Sequence, residues 1–266
     1  MTLHRFYMPP GQWNAGHPIL DEAGSHHAAQ VLRLREGNVI SLFNGQGSEV
    51  HARITQIKKR TVLLESGEVL HRPPPLARLT LAQAIPKGKN LDLVLQKATE
   101  LGASEIIPLI TDRTVARPDA TETADKQEKW QRIAIEACKQ CGQNYLPLVH
   151  PPTSFSAFLQ SIPPTQLPLI AALEPAARPL QDILASCMER PASALVLIGP
   201  EGDFTAGEIA AAKSAGFLPL SLGPIVLRTE TAAVYCLSIL GHELFRRTES
   251  KDAQTGAGHR FWSPVP

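Results

Sequence analysis

The 266-residue sequence lacks the features that place a chain in a membrane or in an oxidising compartment. No apolar run approaches the length of a membrane span, and no apolar signal segment follows residues 1–5. Only four cysteines occur, and Cys138 and Cys141 have the spacing of a metal or redox motif. Because no second cysteine pair or histidine pair completes a zinc site, we expect reduced thiols, no metal, no membrane partner and a cytoplasmic protein.

Strong net charge is also absent. The chain has 26 Lys and Arg against 25 Asp and Glu, a formal charge of +1. Residues 1–72 have eight basic against six acidic side chains (+2), and the remainder has eighteen against nineteen (−1). The overall field therefore indicates no nucleic-acid partner, and any RNA site has to be a local patch.

Neither G-x-G-x-x-G nor G-x-x-x-x-G-K-[ST] occurs, which argues against a dinucleotide or NTP site. Residues 195–240 instead contain two strand-loop-helix units in succession. Thr205 and Glu208 form a capping box that starts the first helix, and Thr229 is the expected N-cap of the second. Carboxyl ends of parallel strands meet at one sheet edge, so the loops predict a ligand site there. Two ordinary βα turns without a ligand are the alternative.

The pair of segments IGPEGDFTAGEI and LGPIVLRTETAA, at residues 198–209 and 222–233, resembles the C-terminal motifs of the SPOUT methyltransferases. The particular similarity is to the bacterial 16S ribosomal RNA uracil-N3 methyltransferases. TELG at residues 99–102 and the pattern H-x-x-x-V-L-R from His27 also resemble that family. The resemblance implies an α/β SPOUT domain with a C-terminal trefoil knot and a parallel sheet. It further implies S-adenosyl-L-methionine as methyl donor, 16S rRNA in the small ribosomal subunit as substrate, and a homodimer.

Two domains are expected. Short alternating strands within residues 1–72, with one helix over residues 26–33 capped by Ser25, predict a small β-barrel, which the family resemblance describes as PUA-like or OB-like. Three prolines after Arg72 mark a stiff linker at residues 71–78. Residues 73–248 are then the SPOUT domain, with five strands and a helix capped by Asn90, and residues 249–266 are a loose tail. Residues 151–164 are expected to be a proline-rich connection.

The resemblance assigns donor binding to three loops. The predicted donor-binding residues are Leu173, Glu174, Ile198, Gly199, Pro200, Glu201, Gly202, Leu222, Gly223, Leu227 and Thr229. Methylation of uracil N3 removes the imide proton and places negative charge on the uracil oxygens. Arg228 is the candidate that stabilises this charge, and Glu201 or Glu230 is the candidate proton acceptor. A surface turn for Glu201 and helix-dipole stabilisation alone for Glu230 are the structural alternatives.

Predicted RNA contacts are Arg5, His27, Arg33, Arg35 and Arg113. A second basic run, residues 58–60, is equally well explained as a solvated face. The sequence departs from the family pattern at Gln143 and Ile225, where the family usually has Arg; the resemblance implies an RNA contact at the first position and an RNA or substrate contact at the second. Two other functions stay open: a SPOUT methyltransferase for another RNA base, and a non-catalytic RNA-binding protein. A nucleotide-cofactor oxidoreductase fits the sequence least.

Overall fold

The computed structural model describes residues 3–14, 16–58, 61–115, 117 and 122–245. The described residues divide into two compact units, with the boundary between Pro74 and Pro75, and the second unit ends at Phe245. The division falls inside the proline run that the sequence analysis treats as a linker. The predicted tail at residues 249–266 lies outside the described residues.

The first unit contains a five-stranded sheet in the order β1-β3-β4-β5-β2. Its strands are β1 (Arg5–Tyr7), β2 (Ile19–Leu20), β3 (Val39–Phe43), β4 (Ser48–Ile57) and β5 (Val62–His71). All neighbours are antiparallel except β1 and β3. Alternate residues, such as Leu42, Val50, Ala52 and Ile54, point to one face and form a buried core with Phe6. The period-2 pattern in the sequence arises because successive side chains point to opposite faces of the sheet, and this face packs into the core.

The helix of the first unit starts earlier than the sequence analysis predicts. Helix α1 spans Glu22–His26 and is capped by Asp21, whose carboxylate accepts a hydrogen bond from the Gly24 amide at 2.7 Å. One π-helical turn, His27–Val31, continues it. The prediction that Ser25 is the cap is wrong, since its buried hydroxyl instead bonds to backbone groups of β2 and β5. The Ser25 hydroxyl does not cap the helix because it forms these tertiary hydrogen bonds.

The second unit is built on a seven-stranded sheet in which every pairing is parallel. Its order is β12-β10-β11-β6-β7-β8, and β9 pairs with the end of β7. The strands are β6 (Arg78–Ala84), β7 (Glu105–Ile110), β8 (Leu148–Val149), β9 (Thr153–Ser154), β10 (Leu167–Ala171), β11 (Ser193–Ile198) and β12 (Leu218–Leu220). The predicted parallel sheet is confirmed. The count of five strands is wrong, because β8 and β9 have two residues each and give no pattern.

Helices cover both faces of this sheet. They are α2 (Asn90–Glu100), α3 (Glu122–Cys141), α4 (Phe155–Gln160), α5 (Leu180–Ala185), α6 (Ala206–Ser214) and α7 (Thr229–Leu244). Helices α2, α3, α5 and α7 pack on one face, and α4 and α6 pack on the other. The central strand β11 alternates between the two clusters, which explains why it reads as a continuous apolar run. The trefoil knot stays a prediction.

Three helix starts differ from the sequence analysis. Residues 151–164 are not only a connection, because Ser154 caps α4 by accepting from the Ala157 amide. Lys89 and Arg228 occupy the N-cap positions of α2 and α7, and the predicted caps Asn90 and Thr229 are the first helical residues. The capping box of Thr205 with Glu208 is confirmed, with both reciprocal hydrogen bonds present.

The cysteines occupy unlike environments. Cys138 is buried and Cys141 is exposed, both within the last turn of α3, and both are free thiols. Burial raises the pKa of the Cys236 thiol inside α7. Among the described residues no His, Cys, Asp and Glu group has the arrangement of a metal site. In the described ranges no helix combines the length and apolarity needed to cross a membrane.

Candidate active site

A cavity of about 750 Å³ opens at the carboxyl ends of β10, β11 and β12. Its wall consists of the loops that follow these strands and of the first turn of α7. Carboxyl ends of parallel strands are the usual place for ligands in such sheets. The lining includes every predicted donor-binding residue except Gly202, together with Arg228 and Glu230. The structure therefore brings these residues into one cavity, and their individual roles stay predictions.

A buried hydrogen-bond chain joins α7 to the loop after β11. The Thr229 hydroxyl donates to the Gly199 carbonyl at 2.6 Å and accepts from the Gln83 side-chain amide at 2.9 Å. Gln83 has no exposed surface and Thr229 is 4% exposed. This arrangement explains why Thr229 does not cap its own helix. Nothing in the sequence pattern singled out Gln83, which lies within an apolar strand.

Asp203 connects two of the three loops. Its carboxylate accepts the backbone N–H groups of Leu173 at 3.1 Å and Phe204 at 2.7 Å. Its φ of +60° lies in the left-handed region, which Asp tolerates better than most residues. A Cβ at Gly199 would lie 3.1 Å from Asp203 Oδ1 and 3.3 Å from its Cα, so any side chain there would push against Asp203 by a few tenths of an ångström. The sequence analysis missed Asp203, although an Asp following a Gly-containing turn is a signal for this role.

Neighbouring loops support the turn at residues 199–204. The Glu201 carboxylate accepts from the Lys87 amide at 2.8 Å. The Arg113 guanidinium donates to the Gly202 and Phe204 carbonyls, and a Cβ at Gly202 would lie 3.3 Å from Arg113 Cδ. Gly202 therefore faces away from the cavity towards Arg113. That Arg113 also contacts RNA stays a prediction.

The loop after β7 is held in the same way. The capping residue Glu208 is 7% exposed and accepts from the Asp112 amide at 2.9 Å through one oxygen. Its other oxygen accepts from the Thr205 amide at 2.8 Å. One carboxylate thus satisfies the start of α6 and fixes the loop that carries Arg113.

The cavity lining is acidic. Glu174, Glu201, Asp203 and Glu230 contribute carboxylates, whereas Arg228 is the cationic side chain in the lining. Glu174 forms an ion pair at 2.6 Å with Lys213, which lies outside the lining. An excess of negative charge in a concave site favours a cationic ligand over an anionic one.

The remaining predicted RNA contacts lie in the first unit. Arg5 is partly buried with its guanidinium 4.6 Å from the centre of the Phe43 ring. His27, Arg33 and Arg35 are exposed, and Arg33 has a φ of +53°. Of the second basic run, Lys58 is exposed, and Lys59 and Arg60 lie outside the described residues.

Ile225 and Gln143, the two residues that depart from the family pattern, lie in different parts of the second unit. Ile225 is 69% exposed and lines the cavity beside Val226. The Gln143 side chain accepts from the Asn144 and Tyr145 amides at 3.0 and 3.3 Å. Gln143 therefore stabilises the turn after α3, a role that Arg has no acceptor to perform.

We predict that Thr229→Val lowers both stability and affinity for a ligand of the cavity. The substitution keeps the side-chain shape but leaves the Gly199 carbonyl and the Gln83 amide without their partner, at a cost of about 1–3 kcal/mol of unfolding free energy. Thr231→Val is the matched control, since Thr231 lies two residues further along α7 and is exposed. Chemical denaturation measures the difference, and equal stabilities for the two variants would contradict the role of Thr229.

Comparisons with known proteins agree with this geometry. The RNA methyltransferase domain family matches residues 72–241, and the RNA methyltransferase PUA domain family matches residues 20–65. Ribosomal RNA small subunit methyltransferase E of Synechocystis is 32% identical over 90% of this chain and 77% of its own length. The Bacillus subtilis protein of the same name is 31% identical over 82% of this chain and 87% of its own.

Two solved structures are similar over nearly the whole chain. A methyltransferase of Legionella pneumophila with bound S-adenosylmethionine is 37% identical, with a TM-score of 0.82 over 91% of this chain and 98% of that one. The ribosomal RNA small subunit methyltransferase E of Neisseria gonorrhoeae, also bound to S-adenosylmethionine, is 31% identical, with a TM-score of 0.81 over the same shares. With a family match over more than half of its length and relatives above 30% identity, this chain belongs to the RNA methyltransferase family.

Proposed function

We propose that this protein transfers the methyl group of S-adenosylmethionine to N3 of a uridine in the 16S rRNA of the small ribosomal subunit. The observation that carries the proposal is the cavity at the carboxyl ends of β10, β11 and β12, where Arg228 and Glu230 line the same wall as the three predicted donor loops. The relatives' names support the substrate, and the two donor-bound structures support the methyl donor.

The cavity suits this donor in size and charge. Its volume is within the range of ligand pockets of about 300–1,000 Å³. S-Adenosylmethionine carries a sulfonium and an ammonium group, and the acidic lining compensates such charges. We infer that backbone groups of the loops around Leu173, Gly199 and Leu222 hold it, with Ile198 and Leu227 as apolar neighbours. When bound, the donor supplies an electrophilic methyl group for in-line attack.

The protein side chains then have two tasks. Uracil N3 gives up its proton, and the developing charge spreads over the uracil oxygens. The exposed Arg228 guanidinium at the start of α7 stabilises that charge. Stabilisation of developing charge by positioned donors is usually the largest single contribution to catalysis. For the proton we assign Glu230, because its half-buried carboxylate lines the cavity, whereas Glu201 is engaged by the Lys87 amide. Holding both reactants in line supplies much of the remaining rate enhancement.

The alternatives from the sequence fit less well. A non-catalytic RNA-binding protein has no need for a donor cavity with Arg228 and Glu230 in its wall. Methylation at another base remains a distinct outcome of the product analysis below. It would leave the donor site as described and change only the base that Arg228 and Glu230 contact.

We also propose a homodimer and a cytoplasmic location, where ribosomal subunits occur. Leu173, Ile225 and Val226 are 66%, 69% and 75% exposed at the cavity, an unusual amount of apolar surface for a protein that acts alone. A second copy would cover it. Light scattering at micromolar concentration is expected to give twice the mass of the 28.9 kDa chain, and a mass of one chain would contradict the dimer.

The reaction itself is tested by product analysis. Small subunits from a bacterial strain without this modification are incubated with the protein and S-adenosylmethionine, and their 16S rRNA is digested to nucleosides. We expect N3-methyluridine by mass spectrometry. A methyl group on another base would contradict the uridine assignment, and no methylated nucleoside at all would favour the non-catalytic alternative.

Variants test the assigned side chains. Arg228→Ala is expected to lower kcat by about 10²–10³, the usual effect of removing one charge-stabilising donor. Arg228→Lys should restore part of that loss. Glu230→Gln is expected to lower kcat by about 10²–10⁴, because the amide cannot accept the imide proton. Glu201→Gln is its matched control, and a larger loss in that variant would transfer the proton-acceptor role to Glu201.

A further inference from the structure

The loop between β6 and α2, residues 85–89, borders the cavity. Strand β6 is the direct neighbour of β11, with Gln83 in register with Ile198, so their following loops leave the sheet side by side. The Glu201 carboxylate accepts the backbone amide of Lys87 at 2.8 Å. Asn90, the first residue of α2, lines the cavity. This loop therefore meets the cavity at two places, through the Lys87 amide that bonds to Glu201 and through Asn90 at its end.

Two lysines on this loop differ from all others in the second unit. The described residues of that unit include seven lysines, and five of them, Lys97, Lys126, Lys129, Lys139 and Lys213, form ion pairs with carboxylates. Lys87 and Lys89 are exposed, and neither forms an ion pair with the described residues. The two ammonium groups without a carboxylate partner therefore both lie on the loop beside the cavity.

The charges around them explain what these ammonium groups can bind. The cavity wall carries four carboxylates, which repel the phosphates of an RNA chain while they attract a cationic donor. A nucleotide whose base enters the cavity keeps its two flanking phosphates outside. Cations next to the opening are then needed to hold the chain, and lysine ammonium groups are common phosphate ligands. The amino-terminal end of the eleven-residue α2, which follows Lys89 directly, adds a partial positive charge.

We propose that Lys87 and Lys89 bind the RNA backbone at the phosphates that flank the methylated nucleotide. Because Glu201 fixes the Lys87 amide, the loop presents both side chains at a set place relative to the donor cavity. This inference rests on the proposed function for the identity of its ligand. It adds a substrate-binding element that lies in the second unit, separate from the predicted contacts of the first unit.

The test compares two double variants of the full chain. Lys87→Ala/Lys89→Ala removes two side chains but keeps the Lys87 amide that Glu201 accepts from. Lys126→Ala/Lys139→Ala removes the same charge from α3, where both lysines are paired with glutamates. Binding of a 16S rRNA transcript is measured by filter retention from about 50 to 200 mM salt, without S-adenosylmethionine.

For Lys87→Ala/Lys89→Ala we expect the negative slope of log affinity against log salt to become shallower by about 1.5. This change corresponds to the loss of two phosphate contacts. Over this fourfold range of salt, two contacts amount to about a tenfold change in affinity. The KM for small subunits should rise, and the calorimetric affinity for S-adenosylmethionine should stay within about twofold. The α3 variant should match the wild type in all three.

Equal salt slopes for the two double variants would overturn the proposal. A tenfold loss of donor affinity in the loop variant would also overturn it, because it would show a structural effect on the cavity. The RNA-binding assay involves no methyl transfer. Consequently, a changed slope in a protein that makes no N3-methyluridine would support the loop and reject the reaction, and an unchanged slope in an active enzyme would do the reverse.

Discussion

The site depends most directly on one buried hydrogen bond, from the Thr229 hydroxyl to the Gly199 carbonyl. It joins the first turn of the last helix to the loop after the central strand β11, and Gln83 donates to the same hydroxyl from the neighbouring strand. A buried carbonyl without a donor costs about 1–3 kcal/mol, so the loop has one favourable position against α7. The wall of the cavity, with Arg228 and Glu230 on either side of Thr229 in sequence, is thereby held in place by contacts within the chain.

The parallel sheet supplies the second constraint. It brings the loops after β10, β11 and β12 to one edge of the sheet. Hydrogen bonds from side chains then hold these loops against each other. Asp203 connects the loops after β10 and β11, and Glu201 connects the latter to the loop after β6. The same carboxylates make the cavity acidic, while cationic Lys87 and Lys89 lie on the loop outside it. Donor and RNA, which have opposite charge, are therefore given separate binding regions.

The sequence predicted the strands and helices around the cavity better than the hydrogen bonds between their residues. The apolar run before Gly199 and the capping box at Thr205 are local signals, and the structure confirms the strand and helix that they predict. Gln83, the bond from Leu173 to Asp203 and the true bonding of Thr229 were missed because the partners lie far apart in the chain. No local pattern distinguishes a threonine that caps its own helix from one that bonds to a distant carbonyl. Two-residue strands such as β8 are missed for the related reason that their pairing, not their composition, defines them.

The most direct test of the proposed donor cavity is calorimetric titration with S-adenosylmethionine. We predict binding at one site per chain for the wild type and for Gly207→Trp, an exposed position on α6. Gly199→Trp should not bind, because its Cβ alone would approach the Asp203 carboxylate and backbone to 3.1 and 3.3 Å and displace the loop. Circular dichroism confirms that each variant is folded. Binding to folded Gly199→Trp with wild-type affinity, or no binding to the wild type, would contradict the account.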